Sequence, residues 1–217
     1  WTEDNHLNTS RRLLAANGTT TSALAYGGWP PNYANTESWN GTNWTETTDL
    51  NTARRGLGGA GVDNTSALAF GGYITADSAL TEEWNGSSWT EVSDLSTARN
   101  LLEGTGIITS ALAFGGDTTV SQAATEEFTG AGQPAGAWAT GNSMNTARGT
   151  MGSNGTSTSA IGYGGTPGVM SNTETWNGTN WTETTDLNTA RSQLSGAGTD
   201  STNALAISGT GSGIVGN

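Results

Sequence analysis

The side chains here that could move protons, bind anions or hold metals are few. Among 217 residues there are 19 acids and seven cations, every cation is Arg, and there is one His and no Cys. Without Cys, disulfides, thiolate metal sites and cysteine nucleophiles are excluded. His6 alone cannot build a His-based metal cluster. A Ser-His-Asp triad would have to recruit it from a terminal strand. Adjacent acids occur at Glu82-Glu83 and Glu126-Glu127. Paired carboxylates across a cleft hydrolyse glycosidic bonds, but neighbours on a strand point to opposite faces and cannot converge. Asp49, Asp94 and Asp186 recur before a Leu. No Asp-x-Asp-x-Asp run accompanies them, so they read as turn formers rather than calcium ligands. No cofactor and no metal are expected, and the chain reads as a non-enzyme.

Five of the seven cations are Arg11, Arg54, Arg99, Arg148 and Arg191, spaced through the chain like the acids Glu37, Glu82, Glu126 and Glu174. A ring of Arg near an axis could bind an anion or an acidic sugar. Alternatively, each Arg could brace its own unit by bonding carbonyls or a repeated Glu. The net charge of −12 repels phosphate, so a nucleic-acid partner is not expected. No apolar run approaches the ~20 residues that span a bilayer, so membrane insertion is not expected either.

The elements that position these residues come from a repeat. Trp1, Trp44, Trp89, Trp138 and Trp181 open similar blocks, 43, 45, 49 and 43 residues apart. After each comes Leu/Met-Asn/Ser-Thr-Ala/Ser-Arg, then a Gly-rich stretch such as Gly58-Gly59-Ala60-Gly61. Next is Ser-Ala-Leu-Ala-Tyr/Phe-Gly-Gly, as at 66–72 and 110–116. The fifth copy is degenerate, with Ser208-Gly209 for the Gly pair. A loop leads to Thr-Glu-x-Trp-Asn-Gly at 36–41, 81–86 and 173–178, and the next Trp follows.

Each block reads as four short strands. Ala-Leu-Ala-Phe suits a strand buried on both sides, and the Gly pair after it permits close approach of a neighbouring backbone or a bulge. Asn-Gly accepts the positive φ angles of a tight hairpin turn. The Gly-rich stretch fits a crowded axis. Strands without an amphipathic helix pattern, at a period of roughly 40–50 residues, predict a β-propeller. An open solenoid would have a shorter period and capping repeats. The expectation is one all-β domain over 1–217, a five-bladed propeller of four-stranded antiparallel blades. The N-terminal strand would complete the last blade and close the ring, with Ile214-Val215 as that blade's third strand.

These motifs resemble kelch repeats: Gly27-Gly28, Gly71-Gly72, Gly115-Gly116 and Gly164-Gly165 after hydrophobic strands, then Trp39, Trp84, Phe128 and Trp176, then the block-opening Trp. The resemblance covers nearly the whole chain, although the aromatic-to-Trp step of five is short and six or seven blades are commoner in kelch proteins. The Thr/Asn/Gly-rich style is also similar to repeat proteins of tailed bacteriophages, marine ones especially, which implies a virion or extracellular setting. Copper-oxidase activity, found in one branch of kelch-like proteins, needs Cys and His ligands that are missing here.

In kelch proteins the loop after the Gly pair and the loop bearing the Arg open on one face, which commonly binds partners. Trp29, the one Trp outside the repeat, lies in that loop with Tyr33, and Pro30 and Pro31 between them stiffen it; Tyr73, Asp77 and Asp117 lie in the matching loops. With Arg54 and Arg99 they are the candidate ligand-binding residues, suited to a carbohydrate or a protein surface. The alternatives are a structural part of a virion or other assembly, with neighbouring subunits as partners, and, further off, a carbohydrate-active enzyme. The insert between Phe128 and Trp138 should lie on the opposite face from Trp29.

Overall fold

The computed structural model describes residues 4–130 and 136–211. Among them are 18 strands and no helix. The first sheet contains β1 (Ala15–Thr19), β2 (Ser22–Tyr26), β3 (Thr36–Trp39) and β4 (Trp44–Glu46). The second contains β5 (Gly58–Asp63), β6 (Ser66–Phe70), β7 (Thr81–Trp84) and β8 (Trp89–Val92). The third contains β9 (Glu103–Ile107), β10 (Ser110–Phe114), β11 (Thr125–Thr129) and β12 (Ala137–Gly141). The fourth contains β13 (Gly152–Thr156), β14 (Ser159–Tyr163), β15 (Thr173–Trp176) and β16 (Trp181–Glu183). All four are antiparallel meanders. The strand that opens each block therefore completes the blade before it.

The fifth sheet corrects the expectation of five equal blades. It has two strands among the described residues, β17 (Ser195–Asp200) and β18 (Asn203–Ile207). The described residues after Ile207, 208–211, do not carry the Thr-Glu-x-Trp segment that forms the third strand in other sheets. Closure by Trp1-Thr2-Glu3 and a strand at Ile214-Val215 lie outside the described residues, as does most of the insert before Trp138.

The Ala-Leu-Ala-Phe strands are buried on both sides, as expected: Ala67, Leu68, Ala69 and Phe70 are all 0% exposed. Their faces pack against the neighbouring blade, so Leu68 clusters with Leu102, Ala111 and Phe128 of the third sheet. Across each outer hairpin two aromatic rings meet, as in Trp84–Trp89 at 5.4 Å. The second ring also reaches the preceding blade. Trp89, Trp138 and Trp181 donate their indole N–H to Thr36, Thr81 and Thr125 at 3.0, 3.1 and 2.9 Å, and their rings meet Tyr26, Phe70 and Phe114. Paired in this way, the indoles add burial and a specific bond between blades.

The Gly pair is where backbones of adjacent blades touch. Gly28, Gly72, Gly116 and Gly165 donate N–H to the carbonyls of Arg54, Arg99, Arg148 and Arg191 in the next blade, at 2.8–2.9 Å. The first Gly of the pair has φ near +65° and no room for a side chain. A Cβ on Gly71 (φ +64°) would lie 2.8 Å from the Arg99 carbonyl oxygen and 2.8 Å from a Leu102 methyl. Gly71→Ala therefore combines a left-handed backbone penalty with a clash. It should lower the urea midpoint by the equivalent of about 2–3 kcal/mol; an unchanged midpoint would show that the blades can move apart at no cost.

The Asn-Gly turn departs from the expected form. Gly41, Gly86 and Gly178 have positive φ but the Asn residues before them do not. The Asn40 side-chain oxygen instead accepts the N–H groups of Thr42 and Asn43. Asn thus acts through its amide and not its backbone. Asp49, Asp94 and Asp186 likewise serve the turn, each accepting the N–H of the Thr that starts the third strand of its blade.

Candidate functional site: the rim and cup on one face of the propeller

The repeated Arg side chains are internal braces. Arg11, Arg54, Arg99 and Arg148 reach from the loop before each blade's first strand to Glu37, Glu82, Glu126 and Glu174 on its third. All four guanidiniums are 0% exposed and the carboxylates at most 2%. On the way Arg54 donates to the Ala69 carbonyl of the second strand, and Arg148 does the same to Gly162. The carboxylate is completed by the loop: Glu82 accepts the Asn51 N–H at 2.7 Å and its side-chain amide at 2.9 Å. Burial lowers the pKa of Arg99 and of Arg148, and in each case the partner Glu works the other way. Arg54 and Arg99, expected as ligand contacts, are therefore corrected: neither guanidinium meets solvent. Of the two uses open to this set, bracing is the one built.

The rim residues do share a face. In every repeat the residue after the Arg forms a bridge with the residue after the Gly pair or its fifth-repeat counterpart. The pairs are Arg12–Trp29, Arg55–Tyr73, Asn100–Asp117, Gly149–Thr166 and Ser192–Thr210. The loop after the Gly pair and the Arg loop are thus joined side by side in each described repeat.

Two clusters form on this rim. Arg55, one of the two cations outside the fivefold set, lies 4.3 Å from the Trp29 ring centroid and 4.4 Å from that of Tyr73. Asn32 accepts from Arg55 at 2.7 Å and donates to the Ile74 carbonyl at 2.7 Å. Trp29, Arg55 and Tyr73 therefore make a fixed stack across the first two blades, of the kind worth ~1–2 kcal/mol when partly desolvated. Tyr33 is half-buried and takes part through its backbone, with N–H to Gly28 and carbonyl to Arg54. In the second cluster, Asp77 accepts from the Asn100 amide at 2.6 Å, and Asn100 bridges to Asp117. Asp117 Oδ1 is enclosed without a hydrogen-bond partner. Asp117 also lines a groove of about 590 Å³ with Thr118, Ser121 and Thr166.

Inside the rim is a feature the sequence reading missed. Leu13, Gly56, Leu101, Thr150 and Gln193 all have φ between 49 and 60°. Gly56, Leu101, Thr150 and Gln193 donate N–H to the carbonyls of Leu13, Gly56, Leu101 and Thr150 in turn, at 2.7–3.1 Å. This girdle surrounds a cup of about 320 Å³ whose walls come from all five repeats, mostly Leu and Met. Four of its five positions carry a side chain in a conformation that favours Gly, so the strain is carried by the inter-blade bonds.

One carboxylate breaks the symmetry of the cup. At the first residue of the inner strand the repeats carry Ala15, Gly58, Glu103, Gly152 and Ser195. Glu103 accepts a hydrogen bond from the Ser153 hydroxyl at 2.9 Å. Burial raises its pKa from 4.5 to about 8, and the Ser153 bond opposes the shift. Glu103 is thus a proton-holding group in an apolar recess near neutral pH.

No protein-family model matches this chain, and no curated protein does. Among solved structures, that of YjhT is similar, with a TM-score of 0.75 over 94% of this chain and 78% of that chain, at 11% identity. At such identity the likeness concerns architecture alone. Together with the four antiparallel four-stranded sheets, it identifies the chain as an all-β propeller.

Proposed function

We propose that the chain is a non-enzymatic binding module, a kelch-like five-bladed ring whose rim recognises a carbohydrate or protein surface in a virion or extracellular setting. One observation carries this reading. The buried Arg, Glu and Gly positions repeat nearly unchanged, whereas the five rim pairs are all chemically different. A scaffold needs the same residues in each unit; a ligand does not, and the differences gather on a single face. The stacked Trp29 and Tyr73 supply large faces with little side-chain freedom left to lose. Asp77, Asn100 and Asp117 supply fixed polar atoms.

A glycan array and a protein pull-down, run in parallel, separate the two ligand classes. Trp29→Ala and Arg55→Ala should each weaken a detected ligand ~10-fold or more. A ligand that tolerates both replacements, or no ligand at high micromolar protein, would end the proposal. The alternative, a structural part of an assembly, is favoured by the edge of β18, which no strand pairs among the described residues. A monodisperse monomer at high concentration would count against it.

A further inference from the structure

The cup inside the rim joins apolar walls to one acid. Leu57, Leu102, Met151 and Leu194 are buried in its walls, and the exposed Arg12 and Gln193 mark its solvent side. Behind it lies a second chamber of about 470 Å³, which shares Leu57, Leu102, Glu103 and Leu194 with the cup. Glu103 thus stands at the neck between the two, where a solute that passes the leucines reaches it. Its Oε2 accepts the Ser153 hydroxyl, and its Oε1 takes no hydrogen bond among the described residues.

The chain's own cations do not answer this carboxylate. There are seven Arg and no Lys, and every Arg is a described residue. Arg11, Arg54, Arg99 and Arg148 are taken up by the braces, Arg55 by the rim stack, and Arg191 donates to the Ser208 carbonyl. None of the seven is ion-paired with Glu103. A carboxylate in an apolar recess is costly while ionised, and burial pushes this one up to about 8. A cation brought from outside recovers that cost. A small, fully hydrated cation would leave the leucines facing water; one with a hydrocarbon tail satisfies both parts of the surface. The net charge of −12 also gathers cations around the chain. We infer that the cup binds a primary alkylammonium ion, its nitrogen ion-paired with Glu103 and its hydrocarbon chain laid against Leu57, Leu102, Met151 and Leu194. This site is separate from the rim stack, and its occupancy does not depend on the rim's ligand.

Binding is coupled to a proton. Near neutral pH the free carboxyl holds its proton; the incoming ammonium keeps its own, and the Glu103 proton leaves to solvent as the ion pair forms. Affinity should climb with pH by up to ~10-fold per unit and level off above about pH 8. The other ionisable groups around Glu103 are Arg12 on the solvent side and Tyr163. Burial, and then Glu103 itself, raise the Tyr163 pKa, so that phenol stays neutral across this range.

The test uses the intact chain and n-hexylamine hydrochloride in titration calorimetry, at about 0.15 M salt so that net charge alone holds little. Hexylamine should bind and release close to one proton per amine near pH 7, read from the heats in two buffers. It should bind ~10-fold or more tightly than n-hexanol, and about 4-fold more tightly per CH₂ than n-butylamine. Glu103→Gln should weaken hexylamine ~10-fold or more and abolish the proton release. Because the hexanol and butylamine comparisons leave the protein untouched, misfolding of the variant cannot hide the answer. No hexylamine binding at about 10 mM would overturn the inference. So would equal binding of hexanol and hexylamine, or hexylamine binding that Glu103→Gln leaves unchanged. Binding without proton release that weakens above about pH 8 would overturn it too, because the proton-bearing acid would then be holding a neutral ligand.

Discussion

Glu82→Gln should lower the unfolding free energy by about 3–5 kcal/mol, the largest effect expected of any single polar replacement in this fold. Arg54 is 0% exposed, and Glu82 is its one carboxylate partner among the described residues. Gln retains an oxygen for the Asn51 N–H but carries no charge, so the guanidinium stays buried and uncompensated. For a chain of this size the loss corresponds to roughly 10 °C in Tm. Two controls make the result specific. Glu83→Gln, on the next residue and the other face, should change stability by less than ~0.5 kcal/mol. Arg54→Met combined with Glu82→Leu should lose less than Glu82→Gln alone, because removing both charges leaves nothing unpaired. Thermal melts of the three variants decide the matter. Equal losses at Glu82 and Glu83 would mean that the pair is not buried in solution.

The second large effect is in pH dependence and has the opposite sign. Folded, Glu103 keeps its proton to about pH 8; unfolded, it releases it near 4.5. The folded state therefore binds the proton more tightly. Its full stability is present below about pH 4.5 and declines by up to ~1.4 kcal/mol per pH unit until about pH 8. Glu103→Gln keeps an acceptor for the Ser153 hydroxyl and removes the titration. Wild type and variant should melt together near pH 4.5, and the variant should melt at least ~5 °C higher at pH 8. Parallel Tm profiles across that interval would place the carboxylate in water and not in the recess.

Much of the scaffold was legible because it is repeated. Five Trp marked the blade period, Ala-Leu-Ala-Phe read as a doubly buried strand, and the Gly pairs announced contact between backbones. The residues at those places answer to packing, which acts locally and recurs in every unit. The pairing of Arg54 with Glu82 was visible only as one of two uses, because 28 residues separate them and nothing in spacing says which way a long side chain turns. Arg55 was overlooked because it follows the repeated Arg and looks like its neighbour. Comparing the repeats in register at that column shows Arg, Arg, Asn, Gly and Ser, and the same comparison singles out Glu103. The girdle was not legible. Leu13, Leu101, Thr150 and Gln193 are poor candidates for left-handed backbone, and only the hydrogen bonds between blades hold them there.

The girdle has a consequence for how the molecule comes apart. Its bonds run from each unit to the next in chain order, as do those of the Gly pairs. Energetically each described unit leans on its sequence neighbours through these bonds, as dominoes in a row lean on one another. Couplings of this nearest-neighbour kind make stability a sum of unit and interface terms. Whole units can then be gained or lost by duplication or deletion without redesigning those that remain.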